Sequence, residues 1–102
     1  MYTEINQQDH NGNTALHHAA VMLPGKSEQE TQRLLNLGAT PDIQNVFGNT
    51  PLMLAAMVNN NQTMRLLIDS GANMQLRNLD GMTAIELLEE RISAGERMLA
   101  RF

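Results

Sequence analysis

An all-α solenoid of stacked helix-turn-helix units is the fold class this sequence predicts, and three observations predict it. One phrase occurs three times: Gly12-Asn13-Thr14-Ala15-Leu16, Gly48-Asn49-Thr50-Pro51-Leu52 and Gly81-Met82-Thr83-Ala84-Ile85. Its spacing is 36 and then 33 residues, a period typical of stacked supersecondary units and foreign to a single closed core. A second phrase, Gly38-Ala39 and Gly71-Ala72, recurs at 33 residues.

The middle unit is the clearest. Gly48 suits a turn with positive φ, the Thr50 hydroxyl can cap a helix, and Pro51 fits the first helical position, where its missing N–H costs nothing. Leu52, Ala55 and Ala56 then share a face at helical spacing, with alanines small enough for close helix approach. Asn59-Asn60-Asn61 breaks the pattern, because asparagine tolerates the left-handed conformation of a tight turn. A second helix follows with Met64, Leu67 and Ile68 on its apolar face and Leu66 beside them, stopped by Gly71. Ala72 to Asp80 is too polar and short for a helix.

The outer units repeat this logic. Thr14 and Thr83 are the matching caps, and Thr83 with Glu86 forms a capping box worth on the order of 1 kcal/mol. Leu16, Ala19 and Ala20 repeat the inner face. In the third unit Ile85 and Leu88 stand for the leucine and the first alanine. Glu89, Glu90, Arg91, Glu96, Arg97 and Arg101 decorate its final helices, giving the polar end that a stack needs where its last repeat faces water. Three helical hairpins side by side are therefore expected.

With these residues on the page, the sequence resembles the ankyrin repeat. The middle unit, Asn45 to Asn78, carries Gly-x-Thr-Pro-Leu, paired alanines, a leucine-rich second helix and Gly-Ala-Asn, and the resemblance covers Ile5 to about Leu99. It implies antiparallel helix pairs joined by β-hairpin fingers, with fingers and first helices forming a concave face. Ile5-Asn6-Gln7-Gln8-Asp9 resembles the second half of a finger, implying an atypical N-terminal cap or a chain cut from a longer array. One domain, 1–102, is expected, with repeats at about 9–41, 42–74 and 75–102. The first unit departs from the pattern by three extra residues near Leu23-Pro24-Gly25-Lys26, so its inter-helix loop should protrude. Arg33 stands where the family pattern has leucine, unless the helix end is shortened and the loop longer. With Gln29 and Glu30 on the same helix, the first repeat is expected to open most readily.

Composition excludes several classes. A 102-residue chain buries roughly two-thirds of its unfolded surface, too little for a large enclosed active site. The net charge is −4 and the basic residues Lys26, Arg33, Arg65, Arg77, Arg91, Arg97 and Arg101 are scattered singly. No run of them could neutralise adjacent phosphates, so nucleic acid is not an expected partner. The absence of cysteine removes disulfides, thiolate zinc sites and cysteine nucleophiles and is compatible with a reducing compartment. Met1-Tyr2-Thr3-Glu4-Ile5-Asn6 shows no secretory signal, and no apolar run approaches the roughly 20 residues of a membrane span. A cytoplasmic or otherwise intracellular location is expected, with secretion into a host cell as the alternative, and no membrane partner.

Three motifs suggest chemistry and fail on context. Ala20-Val21-Met22-Leu23-Pro24-Gly25-Lys26-Ser27 fits a relaxed phosphate-loop pattern, yet Ala20 lies within a helix where such a loop must leave a buried strand. Pro24-Gly25 reads as a loop, with Ser27 capping the next helix and Glu30 completing a capping box. Asp9-His10-Asn11-Gly12-Asn13 resembles the start of a calcium loop but has Thr14 in place of the glycine and Ala20 in place of the bidentate acid; it reads as a finger turn. His17 and His18 point roughly 100° apart on a helix and do not easily share one metal. The resemblance gives His17 the role of steadying the preceding turn. No catalytic constellation is found, so no enzyme, cofactor or metal is expected.

What remains are the positions that the resemblance leaves free: the finger tips and the last residues of each first helix. They are His10, Asn11 and Asn13 with Val21 and Met22; Val46, Phe47 and Asn49 with Met57 and Val58; and Leu79, Asp80 and Met82 with Glu90 and Arg91. The middle set is strongly apolar, and a turn tip does not require valine and phenylalanine to fold, so a partner surface centred on Phe47 is expected. Met22, Met57 and Met82 suit a face that repacks against varied shapes. The helix positions could instead be inter-repeat core. The expected function is a non-catalytic module binding an apolar or amphipathic segment of another protein, as a monomer or weak dimer. The alternative is a fragment of a longer array, or a subunit that pairs with itself through the same face.

Overall fold

The computed structural model describes residues 4–99, with the side chains of 4–92. Five helices follow one another: α1 (Ala15–Ala20), α2 (Lys26–Asn36), α3 (Pro51–Met57), α4 (Asn61–Asp69) and α5 (Ala84–Leu99). Helices α1, α3 and α5 stack side by side as one layer, and α2 and α4 pack against each other and behind α1 and α3. The core between the layers holds Leu16, Ala19, Ala20 and Leu34, then Leu52, Met53, Ala55, Ala56, Met64 and Leu67, then Ala84. Alanine pairs at the helix contacts let backbones approach closely, and this explains a well-filled core built from few large side chains.

Each of α1, α3 and α5 starts in the same way, at three equivalent threonines. The backbone N–H of His17, Met53 and Glu86 donates to the hydroxyl of Thr14, Thr50 and Thr83 at 3.4, 3.2 and 3.3 Å. The return bond differs in each unit. Thr14 N–H donates to His17 Nδ1 at 3.0 Å, Thr50 N–H to Met53 Sδ at 3.4 Å, and Thr83 N–H to Glu86 Oε1 at 2.9 Å. One capping geometry thus accepts an imidazole, a thioether or a carboxylate. The asparagine turn is also as expected, with Asn59 at φ 57° before α4.

Four expectations need correction. The fingers contain no strand among the described residues; each is a single turn, closed by backbone bonds, such as Asn45 N–H to the Asn49 carbonyl, and by a side chain. The third unit is one helix of 16 residues and not a hairpin, since the positions matching Asn59–Asn61 are Ile92, Ser93 and Ala94 and none of them favours a left-handed turn. Ser27 does not cap α2. That helix begins after Gly25, whose N–H donates to Glu28 Oε1 at 3.0 Å, while Ser27 is buried and donates to the Ala19 carbonyl at 2.7 Å. The extra length of the first unit is shared: the loop 21–25 exceeds its counterpart 58–60, and α2 has 11 residues against 9 in α4. The Leu23-Pro24-Gly25-Lys26 loop is exposed as expected. Arg33 is exposed and pairs with Glu30. Met1–Thr3, Arg101 and the side chains of Glu96 and Arg97 lie outside the described residues.

Candidate interaction surface

The fingers are built on one repeated device. Asp9, Asn45 and Asn78 each close a turn with the side-chain oxygen. Asp9 Oδ1 accepts from Asn11 and Asn13 N–H, Asn45 Oδ1 from Phe47 and Asn49, and Asn78 Oδ1 from Asp80 and Met82, at 2.9 to 3.0 Å. Asparagine and aspartate do this because their short side chains mimic a backbone turn. The amides of the two asparagines then reach backwards, Asn45 Nδ2 to Asn13 Oδ1 at 2.9 Å and Asn78 Nδ2 to Asn49 Oδ1 at 3.0 Å. Backbone bonds run parallel to this ladder, Val46 N–H to the Asn11 carbonyl and Leu79 N–H to the Phe47 carbonyl, both 3.0 Å. The three tips therefore lie in one row at fixed spacing. Sequence reasoning recognised the first turn but missed Asn45 and Asn78. The signal was present as Asp/Asn at the repeat period.

This row brings together Asn11, Val46, Phe47, Leu79 and Asp80, all exposed, with His10 beside Asn11. Phe47 is 61% exposed and Leu79 77%, high values for side chains of that size. A second row lies at the ends of the first helices: Val21 and Val58 are exposed, Met22 and Met57 half-buried, and Glu90 and Arg91 exposed. Arg91 reaches across to donate to the Met57 carbonyl at 3.1 Å. Two assigned positions belong elsewhere. Asn49 is buried, with its side-chain oxygen occupied by Asn78, and it is corrected from surface to ladder. Asn13 is half-buried and gives its oxygen to Asn45. Met82 is half-buried.

His17 is a seam residue. With Thr14 N–H aimed at Nδ1, the proton resides on Nε2, which donates to the Asn49 carbonyl of the next unit at 2.9 Å. Burial holds its pKa below the ordinary imidazole value near 6.5, and the Asn49 bond only partly opposes that shift. His18 points outward to Asp9 Oδ2 at 2.9 Å. The Asp9 carboxyl is held below its ordinary range first by the Asn13 N–H and then by His18. The two histidines diverge, and among the described residues no group of three His, Cys, Asp or Glu could hold a metal ion. The phosphate-loop look-alike runs from a helix into an exposed loop, without a strand. No described helix is long and apolar enough to cross a membrane.

With the stacked geometry established, comparison with known proteins decides the family. Residues 20–88 match the family described as ankyrin repeats in three copies. The chain belongs to the ankyrin-repeat family. An ankyrin repeat protein of Rickettsia felis is 38% identical over 90 residues, covering 80% of this chain and 39% of that protein. Protein fem-1 homolog A of Bos taurus is 43% identical over 68 residues, 67% of this chain and 10% of the relative. The human fem-1 homolog A is 44% identical over 61 residues, 60% of this chain and 9% of the relative. This ankyrin-repeat chain thus spans about a tenth of the fem-1 relatives it matches. Ankyrin repeats generally mediate protein–protein interaction and are typically non-catalytic, and the exposed apolar tip row lies on such a scaffold.

Proposed function

We propose that this chain binds an apolar or amphipathic segment of another protein through the face formed by its finger tips and first-helix ends, with Phe47 as the central anchor. The observation that carries the reading is the exposure of Val46, Phe47 and Leu79 on adjacent tips, whose backbones the inter-finger bonds already fix. Preorganised apolar side chains lose little entropy on binding, and interfaces concentrate their energy in a few such anchors. The test replaces Val46 and Phe47 together by serine and measures melting and cross-linked partner capture in the native organism. The reading expects unchanged melting with lost capture. Retained capture overturns it, and a large loss of stability assigns the side chains to the core.

A second reading, a self-associating subunit or a piece of a longer array, is favoured by one observation. Gly12 and Gly48 are covered by the backbone of the next finger, whereas Gly81 has no neighbour among the described residues within 4 Å of an added Cβ. Light scattering distinguishes the two: a concentration-dependent dimer supports self-association, and a monomer at all concentrations supports the receptor reading.

A further inference from the structure

We propose that the partner segment carries an arginine, seated on the Val21 carbonyl just past the end of α1 and beside Met22 and Val58; this rests on the binding face proposed above. The chain itself displays the mode of recognition one unit further along. Arg91, at the start of the row's third position, lays its guanidinium on the Met57 carbonyl at 3.1 Å, where α3 ends. Carbonyls at a helix C-terminus are unsatisfied and carry partial negative charge, so a cation there gains both a hydrogen bond and the end-charge interaction.

At the preceding unit the residue matching Arg91 is Val58, 33 positions earlier. Valine has no donor, and among the described residues nothing donates to the Val21 carbonyl. The same place is a hollow between the two loops, walled by Val21, Met22, Leu23, Pro24 and Val58 and closed by Asn59 and Asn60, of which Asn60 Nδ2 donates to the neighbouring Ala20 carbonyl at 3.5 Å. Its walls suit the aliphatic stem of an arginine whose head reaches the carbonyl. The charges of the face agree. Asp80 and Glu90 have no ion-pair partner among the described residues, and Arg91, the described cation of that row, is already engaged. An apolar segment bearing arginine therefore complements the face, with Phe47 supplying apolar contact and the Val21 carbonyl the polar seat.

The test is selection of a random peptide display library on the immobilised chain. Peptides with apolar residues and an arginine at a fixed spacing are expected, and replacing that arginine by glutamine should weaken binding roughly tenfold, the loss of one charge-assisted bond. Val58→Arg, which lets the chain fill its own seat, should remove the arginine preference. Apolar enrichment without arginine, or an arginine preference that survives Val58→Arg, overturns this inference alone. Absence of any enrichment sensitive to Phe47→Ser overturns the binding face and the inference together.

Discussion

The two seams of this array are made differently. Between the first and second units both helix layers meet, α1 on α3 and α2 on α4, and buried polar bonds lock them. His17 Nε2 meets the Asn49 carbonyl at 2.9 Å, and the Thr63 hydroxyl meets Ser27 at 2.7 Å, with Ser27 passing its own proton to Ala19. Between the second and third units α5 packs mainly on α3. Met53 stands where His17 stood and offers no N–H across the seam, and Glu86 turns to Arg77 at 3.2 Å. What crosses there among the described residues is the asparagine ladder, one backbone bond, Gln44 Nε2 donating to the Arg77 carbonyl at 2.9 Å, and Arg91. A shared repeat motif therefore does not mean equal chemistry: the first seam carries a buried histidine bond, and the second rests on packing and the fingers.

The largest expected effects test the feature that the seams share. A Cβ at Gly48 would lie 2.8 Å from Leu79 N and at Gly12 2.9 Å from Val46 N, both at positive φ. Gly48→Ala and Gly12→Ala should each cost about 3 kcal/mol in urea unfolding, roughly 1 from the backbone conformation and about 2 from forcing two backbones apart. Gly81→Ala has the same φ constraint but open space, so about 1 kcal/mol is expected. Equal losses at all three positions would remove finger contact as the cause.

Next comes the histidine. His17→Ala should cost about 2 kcal/mol, because Thr14 N–H and the Asn49 carbonyl lose a buried partner. Its pKa is depressed in the folded chain, so the unfolded chain binds the proton more readily. The sign follows: its full contribution to stability is present above the ordinary value near 6.5 and declines as pH falls below it. Asp9 and Glu86, depressed from 3.8 and 4.5, make stabilising contributions that decline only at lower pH. Wild type should lose urea resistance between neutral pH and pH 5, and His17→Gln should flatten that slope. An unchanged slope would show that the seam does not sense the proton.

Thr31 gives a smaller effect of opposite sign. Its hydroxyl is buried without a partner among the described residues, at a position where α4 has Met64. Thr31→Val should stabilise by about 1 kcal/mol by removing an unpaired polar group. Smallest of all is Arg77→Gln, which opens the exposed pair with Glu86 and the bond to the Gly81 carbonyl; a slight loss of urea resistance is expected, its ionic part vanishing in high salt.

The particular residues that were legible share one property: their partners are close in sequence. Thr14, Thr50 and Thr83 cap helices three residues away, and Asn59 turns the chain where it stands. Asn45 and Asn78 were missed although their turns close two and four residues away, whereas Ser27 and Asn49 have distant partners. Ser27 bonds residues 8 and 36 positions away, and Asn49 receives Asn78 from 29 positions away. The third unit erred for a local reason of another kind, since the absence of a turn signal at Ile92–Ala94 was not weighed as a reason for α5 to continue.

Sequence by itself determined the period, the caps and the turns, and with them the stacked architecture, because each is decided by hydrogen bonds and backbone preferences within a few residues. Tertiary structure alone decided that Asn49 is a buried rung while Phe47, two residues earlier, faces outward, and that His17 carries its proton toward the second unit. Those outcomes depend on what the neighbouring unit places across the seam, and a polar side chain takes its role from whichever partner burial leaves it.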